Sequence, residues 1–414
     1  MRKAMLTRAA LEQFDRTDPL APFRDRFALP PGVVYLDGNS LGPLPRATPG
    51  RIAGLVEHEW GEGLIRSWND AGWIDLAGRV ADGIARLVGA ARGSVVVADS
   101  TSVNLFKLLG GALALRPERG VIVSERDNFP TDLYVAQGLA AFFGGRHRVR
   151  LVDAGAVMEA VDGDTAVVML SHVNYRTGAM HDMATVTRAA QAHGALALWD
   201  LAHSAGAVPV ELAAAEADFA VGCGYKFLNG GPGAPAFLYA APRLHAELRL
   251  PITGWLGHAA PFAFEAEYRA APGLAQATVG TPPILSLAAL EVGVGIALEA
   301  SMPDVREKSL RQAALLAELI EQAAPGAFRR ITPDDPARRG SQLCLSHPDA
   351  YAIVQALIAR GVIGDFRAPD ILRFGITPLT LRYAELWDAA VALGGVMAEG
   401  AWRDPSFATH RAVT

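Results

Sequence analysis

A chain of 414 residues with 51% hydrophobic and 20% charged side chains holds ample material for packed cores and excludes long disorder. A net charge of −5 argues against a nucleic-acid binder, which would present a basic face. Two cysteines, Cys223 and Cys344, exclude a disulfide framework and point to a reducing cytoplasm.

At roughly 100–200 residues per domain, the length fits two or three domains, or one large and one smaller α/β domain. Residues 1–30 read as a short helix and a Pro-rich approach. They lack the apolar core of about 7–15 residues that a signal peptide needs. No apolar run reaches the ~18 residues expected of a membrane span. VVYLDGNSLGPLP (33–45) reads as a short strand breaking into a Gly/Pro turn. Residues 46–90 carry helical periodicity, with Trp60, Leu64 and Trp68 at i, i+4 and i+8.

The middle of the chain alternates apolar runs with helical stretches. Strands are predicted at 120–124, 149–152, 166–170, 195–199, 219–223 and 235–239, with a helix such as 182–193 between them. This alternation predicts a mostly parallel sheet covered on both faces, with ligands at the carboxyl ends of its strands. From about 285 the pattern changes to a long helical segment (285–324), strands near 341–346 and 372–376, and a helix from about 383. The expected division is a segment 1–45 packing with the small domain, a large domain 46–285 and a small domain 286–414.

Three stretches carry chemistry. In DFAVGCGYKFLNGGPGAPAFLY (218–239) a strand ends in glycines and presents Tyr225 and Lys226. Glycine lets a flat cofactor approach the backbone, and the amine can form a Schiff base with an aldehyde. A surface lysine after a strand would look the same. In ALALWDLAHSAG (195–206), Asp200 ends a strand and His203 follows. A carboxylate there can pair with a protonated pyridine nitrogen. On its own, an aspartate at such a point is more commonly a helix N-cap, and the histidine a core residue. In VADSTSVNLFKLLGG (97–111), Thr101 and Ser102 open a helix, where hydroxyls and free N–H groups bind phosphate. Together, Asp200 and a Tyr-Lys pair 26 residues later match the spacing of the aspartate aminotransferase-like fold, and the cofactor implied is pyridoxal 5′-phosphate (PLP).

The chain also resembles one family along most of its length: kynureninase. The resemblance rests on LDGNSLGP (36–43), DNFPTDLYVAQGL (127–139), SHVNYRTGAMHD (171–182), WDLAHSAGAVPVEL (199–212), GCGYKFLNGGPGAP (222–235), GWLGH (254–258) and GTPPILSL (280–287). It implies PLP fold type I: a large domain with a mostly parallel sheet, plus a smaller α/β domain. Lys226 would be the Schiff-base lysine, with Asp200 at the pyridine nitrogen and His203 beside the ring. Thr101, Ser102 and Tyr225 would contact the phosphate. Phe129 would stack on the ring, and Asp132 and Ser171 would hydrogen-bond around it. Trp255 and Thr281 would reach the phosphate in the neighbouring subunit, which implies a homodimer with shared sites. Arg373 would clamp the substrate α-carboxylate, with Ser40 and Trp68 also at the substrate.

The implied reaction is hydrolysis of L-kynurenine to anthranilate and L-alanine in tryptophan catabolism. Lys226 would remove the α-proton, and Tyr225 would do acid/base work at the γ-carbonyl. Members favouring the 3-hydroxylated substrate carry His and Asn where this chain has Trp68 and Thr281, so the unsubstituted substrate is expected to be preferred. No metal, membrane or nucleic-acid partner is expected, and the cytoplasm is the expected location. A cysteine desulfurase would need a reactive thiol on a mobile loop. Cys223 and Cys344 both fall in or beside apolar strands. A PLP-binding regulator would need an added DNA-binding domain, for which residues 1–40 are too short.

Overall fold

The computed structural model describes residues 5–409, so the outermost ends of the two flanking segments (1–4 and 410–414) lie outside the described residues. The large layer is a seven-stranded sheet in the order Val95–Val97, Phe237–Ala240, Phe219–Gly222, Leu196–Asp200, Thr165–Ser171, Val121–Glu125 and Arg148–Val152. Phe237–Ala240 alone runs against the direction of the other six strands. The central strands are apolar without alternation because both faces are covered. Successive residues still face opposite sides. Val168, Leu170, Ala197 and Trp199 join the core with Leu76, Ile84 and Leu287, while Val167, Met169, Leu196 and Leu198 join the core with Leu105, Leu108 and Leu139.

A third core lies around the antiparallel sheet Arg329–Arg330, Gln342–Ser346, Ile371–Gly375 and Asp365–Arg367. Helices Met302–Ala323, Ala350–Ala359 and Tyr383–Glu399 pack there. The N-terminal stretch contributes Leu11, Val34 and Leu36 to the same core, and Val34–Tyr35 pairs in parallel with Val362–Ile363. Among the described residues, no single helix is long and apolar enough to cross a membrane.

Two expectations need correction. The segment 285–324 is not one helix but two, Ile284–Glu299 and Met302–Ala323, meeting at 87°. Ser301 caps the second by accepting from Asp304 N, and Pro303 in its first turn cannot continue the first. The periodicity of Trp60, Leu64 and Trp68 is not a helix face either. Leu55–Gly63 winds as a π-helix, and Leu64 follows at a φ of 53°. Trp60 and Leu64 are exposed, while Trp68 is partly buried, edge-on to Trp73 at 5.9 Å.

Candidate active site

The parallel strands end side by side, and their ends assemble the site. Ser171 and Asp200 are register partners on adjacent strands, and Asp200 pairs in turn with Val221, close to the end of the next strand. Beyond that end the chain turns through Tyr225 and Lys226. The GNSLG loop closes over them: Gly42 N donates to Tyr225 O at 2.8 Å. A Cβ on Gly42 would stand 2.3 Å from Lys226 O, so only glycine permits this approach.

A cavity of about 240 Å³ opens at this point. Nine of the expected residues line it: Thr101, Ser102, Phe129, Asp132, Ser171, Asp200, His203, Tyr225 and Lys226. Thr101 and Ser102 open helix Thr101–Ala114, whose N-cap is Ser100, accepting from Val103 N at 3.3 Å. Phe129 precedes helix Pro130–Phe142, and its ring centroid stands 6.0 Å from Lys226 Nζ. Asp200 is not a helix N-cap: it accepts from Ala202 N at 2.7 Å within a turn. Asn128, inside a motif singled out only as a whole, joins two strand ends. Its Oδ1 accepts from Ser171 Oγ at 2.6 Å, and its Nδ2 donates to Ser124 Oγ at 3.1 Å.

The electrostatics follow from burial. Desolvation lowers the Lys226 ammonium from its usual range, opposed by Cys223 and Asp200. Burial raises the Asp132 carboxyl well above its usual range, as does Asp200, while Lys226 opposes this. Burial likewise raises Asp200, opposed by Lys226 and the Ala202 N–H. Burial pushes the Tyr225 phenol up, helped by Cys223 and Asp200, so it keeps its proton at neutral pH. Lys226 Nζ has no hydrogen-bond partner among the described residues, and Asp132 Oδ2 is buried without one. The set fits PLP: an unpaired amine for its aldehyde, buried carboxylates for a ring cation, and a helix N-terminus with hydroxyls for its phosphate.

Arg373 and Ser40 lie beside the cavity and are joined to it through Tyr175. Arg373 Nη1 donates to Tyr175 O at 2.8 Å and Nη2 to Ser40 Oγ at 2.8 Å. Its Nε donates to Asp365 Oδ1 at 2.7 Å, and Nη2 also meets Asp365 Oδ2. One fork of the guanidinium is therefore already held by Asp365, its register partner on the adjacent strand. Arg367, whose Nη2 lies 2.7 Å from Asp365 Oδ2, brings a second guanidinium. Asp365 and Arg367 escaped the sequence reading because only strand register brings them to Arg373.

Trp68, Trp255 and Thr281 do not line the cavity of their own chain. Trp255 lies on a separate surface hollow, packed against Phe262 and Phe264, and all three rings are exposed. Cys223 and Cys344 are both buried, and burial pushes both thiols up, Cys344 to about 11. Neither is the reactive, exposed thiol that desulfuration requires.

Solved structures share this fold. One of the cystine C-S lyase C-DES with cysteine persulfide gives a TM-score of 0.76 at 19% identity, over 87% of this chain and 97% of that one. The cysteine desulfurase CsdA from Escherichia coli gives 0.75 at 18% identity, over 92% and 98%. The C-terminal domain model of kynureninase matches residues 305–393. Kynureninase from Burkholderia pseudomallei (strain K96243) is 51% identical, and that from Pseudomonas fluorescens 50%, each over 99% of this chain and the whole of the relative. With about half its residues shared along its entire length, the chain belongs to the kynureninase family.

Proposed function

We propose that this chain is a PLP-dependent kynureninase, hydrolysing L-kynurenine to anthranilate and L-alanine. The observation that carries the reading is Lys226: an amine with no hydrogen bond, in one cavity with Asp200, Asp132 and the N-terminus of helix Thr101–Ala114. When bound, the cofactor supplies an electron sink next to the substrate α-carbon. Lys226 would hold the cofactor aldehyde, Asp200 its ring nitrogen, and Thr101, Ser102 and Tyr225 its phosphate. Phe129 would cover one face, with His203, Asp132 and Ser171 around it.

The chain's own groups supply proton transfer and orientation. Lys226 Nζ, its basicity lowered by desolvation, takes the α-proton without remaining locked as an ammonium ion. Tyr225 keeps its phenolic proton and can lend it to the γ-carbonyl oxygen as water adds to that carbon. The β–γ carbon bond then breaks, its electron pair stays with the alanyl fragment, the β-carbon takes a proton, and Lys226 returns the α-proton to complete L-alanine. The remaining Nη1 N–H of Arg373, with Arg367 and Ser40 beside it, would meet the α-carboxylate.

We further propose a homodimer working in the cytoplasm. The exposed Trp255, Phe262 and Phe264 form an apolar group of the kind a second copy covers. Trp255 and Thr281 would then serve the partner's phosphate site. Incubation with L-kynurenine should release anthranilate and alanine in equal amounts. Sulfur release from cysteine without anthranilate formation would reject the reading. Trp68 and Thr281 offer no charged or amide partner to a ring hydroxyl, so kcat/KM should be about 10–100-fold lower for 3-hydroxykynurenine. Equal or reversed values remove that part, and Trp68→His with Thr281→Asn should move the ratio toward the hydroxylated substrate.

A further inference from the structure

Gln342 opens strand Gln342–Ser346 and is 1% exposed. Its side chain crosses from the smaller sheet to the wall of the active site. Nε2 donates to Tyr175 O at 3.2 Å and to Asn174 O at 3.4 Å, with Cys344 Sγ at 3.3 Å. Oε1 lies 3.1 Å from His203 Nδ1 and 3.5 Å from Asn39 Nδ2. Gly178 makes room for it: a Cβ there would stand 2.9 Å from Gln342 Cγ, at a φ of 73°.

The hydrogen-bond inventory leaves one orientation for this amide. Backbone carbonyls only accept, so the NH₂ group must face Tyr175 and Asn174. The reversed amide would set Oε1 against two carbonyl oxygens in a buried place. Oε1 therefore faces His203, and an oxygen of this kind only accepts. His203 Nδ1 must then carry the proton. Burial, with Lys226 and Arg373 nearby, keeps the imidazole neutral, so it has one proton to place. Nε2 is left with a lone pair. It has no partner among the described residues, and His203 lines the cavity.

We propose that Gln342 is a positioning residue that fixes His203 as the Nδ1–H tautomer, so that His203 offers Nε2 to bound ligand as a hydrogen-bond acceptor. The group it meets is an O–H or N–H of cofactor or substrate, not an anionic oxygen. A free imidazole favours the other tautomer, so the preference must come from the protein. The inference goes beyond the assignment of the reaction and does not depend on it.

The test is the nitrogen spectrum of the resting holoenzyme made with isotope-labelled histidine. The His203 signals are identified by their loss in His203→Gln. Wild type should show a protonated Nδ1 and a bare Nε2. Gln342→Leu, or Gln342→Met should the first not fold, should move the proton wholly or partly to Nε2. Gln342→Glu, protonated on the oxygen facing the two carbonyls, should restore Nδ1–H. The first two variants should lose about tenfold in kcat/KM, the value of one hydrogen bond, and the Glu variant should regain part of it. A protonated Nε2 in wild type, or an unmoved Nδ1 proton in Gln342→Leu or Gln342→Met, overturns the proposal. No substrate is present in the spectroscopic experiment, so its failure and a failure to cleave kynurenine are read separately.

Discussion

Three lysines fall among the described residues, and their partners separate them. The buried Lys107 is held by Asp99 and donates to Ala277 O at 2.7 Å, while the buried Lys308 meets Asp18 at 2.6 Å and Pro378 O at 2.6 Å. Each is neutralised and fixed, as a buried charge must be. Lys226, on the cavity wall, has neither kind of tie, which leaves its lone pair free for chemistry. Borohydride reduction of the holoenzyme followed by peptide mapping should label Lys226, and Lys226→Ala should lower kcat by about 10²–10⁴-fold or more, the share of a general base. A label on Lys107 rejects the assignment. His172, beside Ser171, makes a second residue-scale case. Burial and the neighbouring His181 lower its pKa from 6.5 to about 4, and its Nδ1 lies 2.9 Å from Ser204 Oγ. Between those values the unfolded chain binds the proton and the folded one does not. The stabilisation is therefore complete above pH 6.5 and is lost as the pH falls toward 4. Denaturation midpoints of wild type and His172→Gln should diverge over that window, the wild type losing up to about 1.4 kcal/mol more per pH unit. Parallel curves would show that His172 does not titrate there.

Helix Ile284–Glu299 sets the position of the loop that follows Lys226. Gly293 faces that loop, and a Cβ there would lie 2.1 Å from Leu228 O and 2.9 Å from Asn229 C. Alanine would gain about 1 kcal/mol of helix propensity. The contact is with backbone and cannot yield cheaply, so overpacking of about 1–3 kcal/mol or more should win. Gly293→Ala is expected to lower Tm and weaken cofactor binding together. An unchanged Tm would mean that the helix and loop separate freely. The strand ends were legible in the sequence because strands buried on both faces read as unbroken apolar runs, and their last polar residues stand out. That is how Asp200 and the Tyr225-Lys226 turn could be placed, whereas Ser171 followed only from the family resemblance. The π-helix was not legible, since Gly61 and Gly63 allow a winding that no simple period describes. Val95–Val97 was missed because three residues give no period. Gln342 was missed because its effect on His203 acts across 139 residues of chain, through an amide on the other sheet.

At the scale of the whole molecule, two of the expected phosphate contacts, Trp255 and Thr281, stand outside their own chain's cavity. A shared site predicts a pattern of complementation that a self-contained site cannot give. Consider Lys226→Ala subunits mixed with subunits carrying both Trp255→Ala and Thr281→Ala. In a mixed dimer, the site that has lost its lysine also faces the altered loop of the other subunit and is dead. The second site keeps Lys226 and receives an intact Trp255 and Thr281 from its partner. After dissociation and random reassociation about half of the dimers are mixed, and each has one complete site of two, so activity should return to about a quarter of wild type. Each parent alone should stay far below that level, because one lacks the base and the other lacks the partner's phosphate contacts. If Trp255 and Thr281 act only within their own chain, every site in the mixture carries a defect and mixing restores nothing. An active species of single-chain mass in sedimentation would refute the shared site by a separate route.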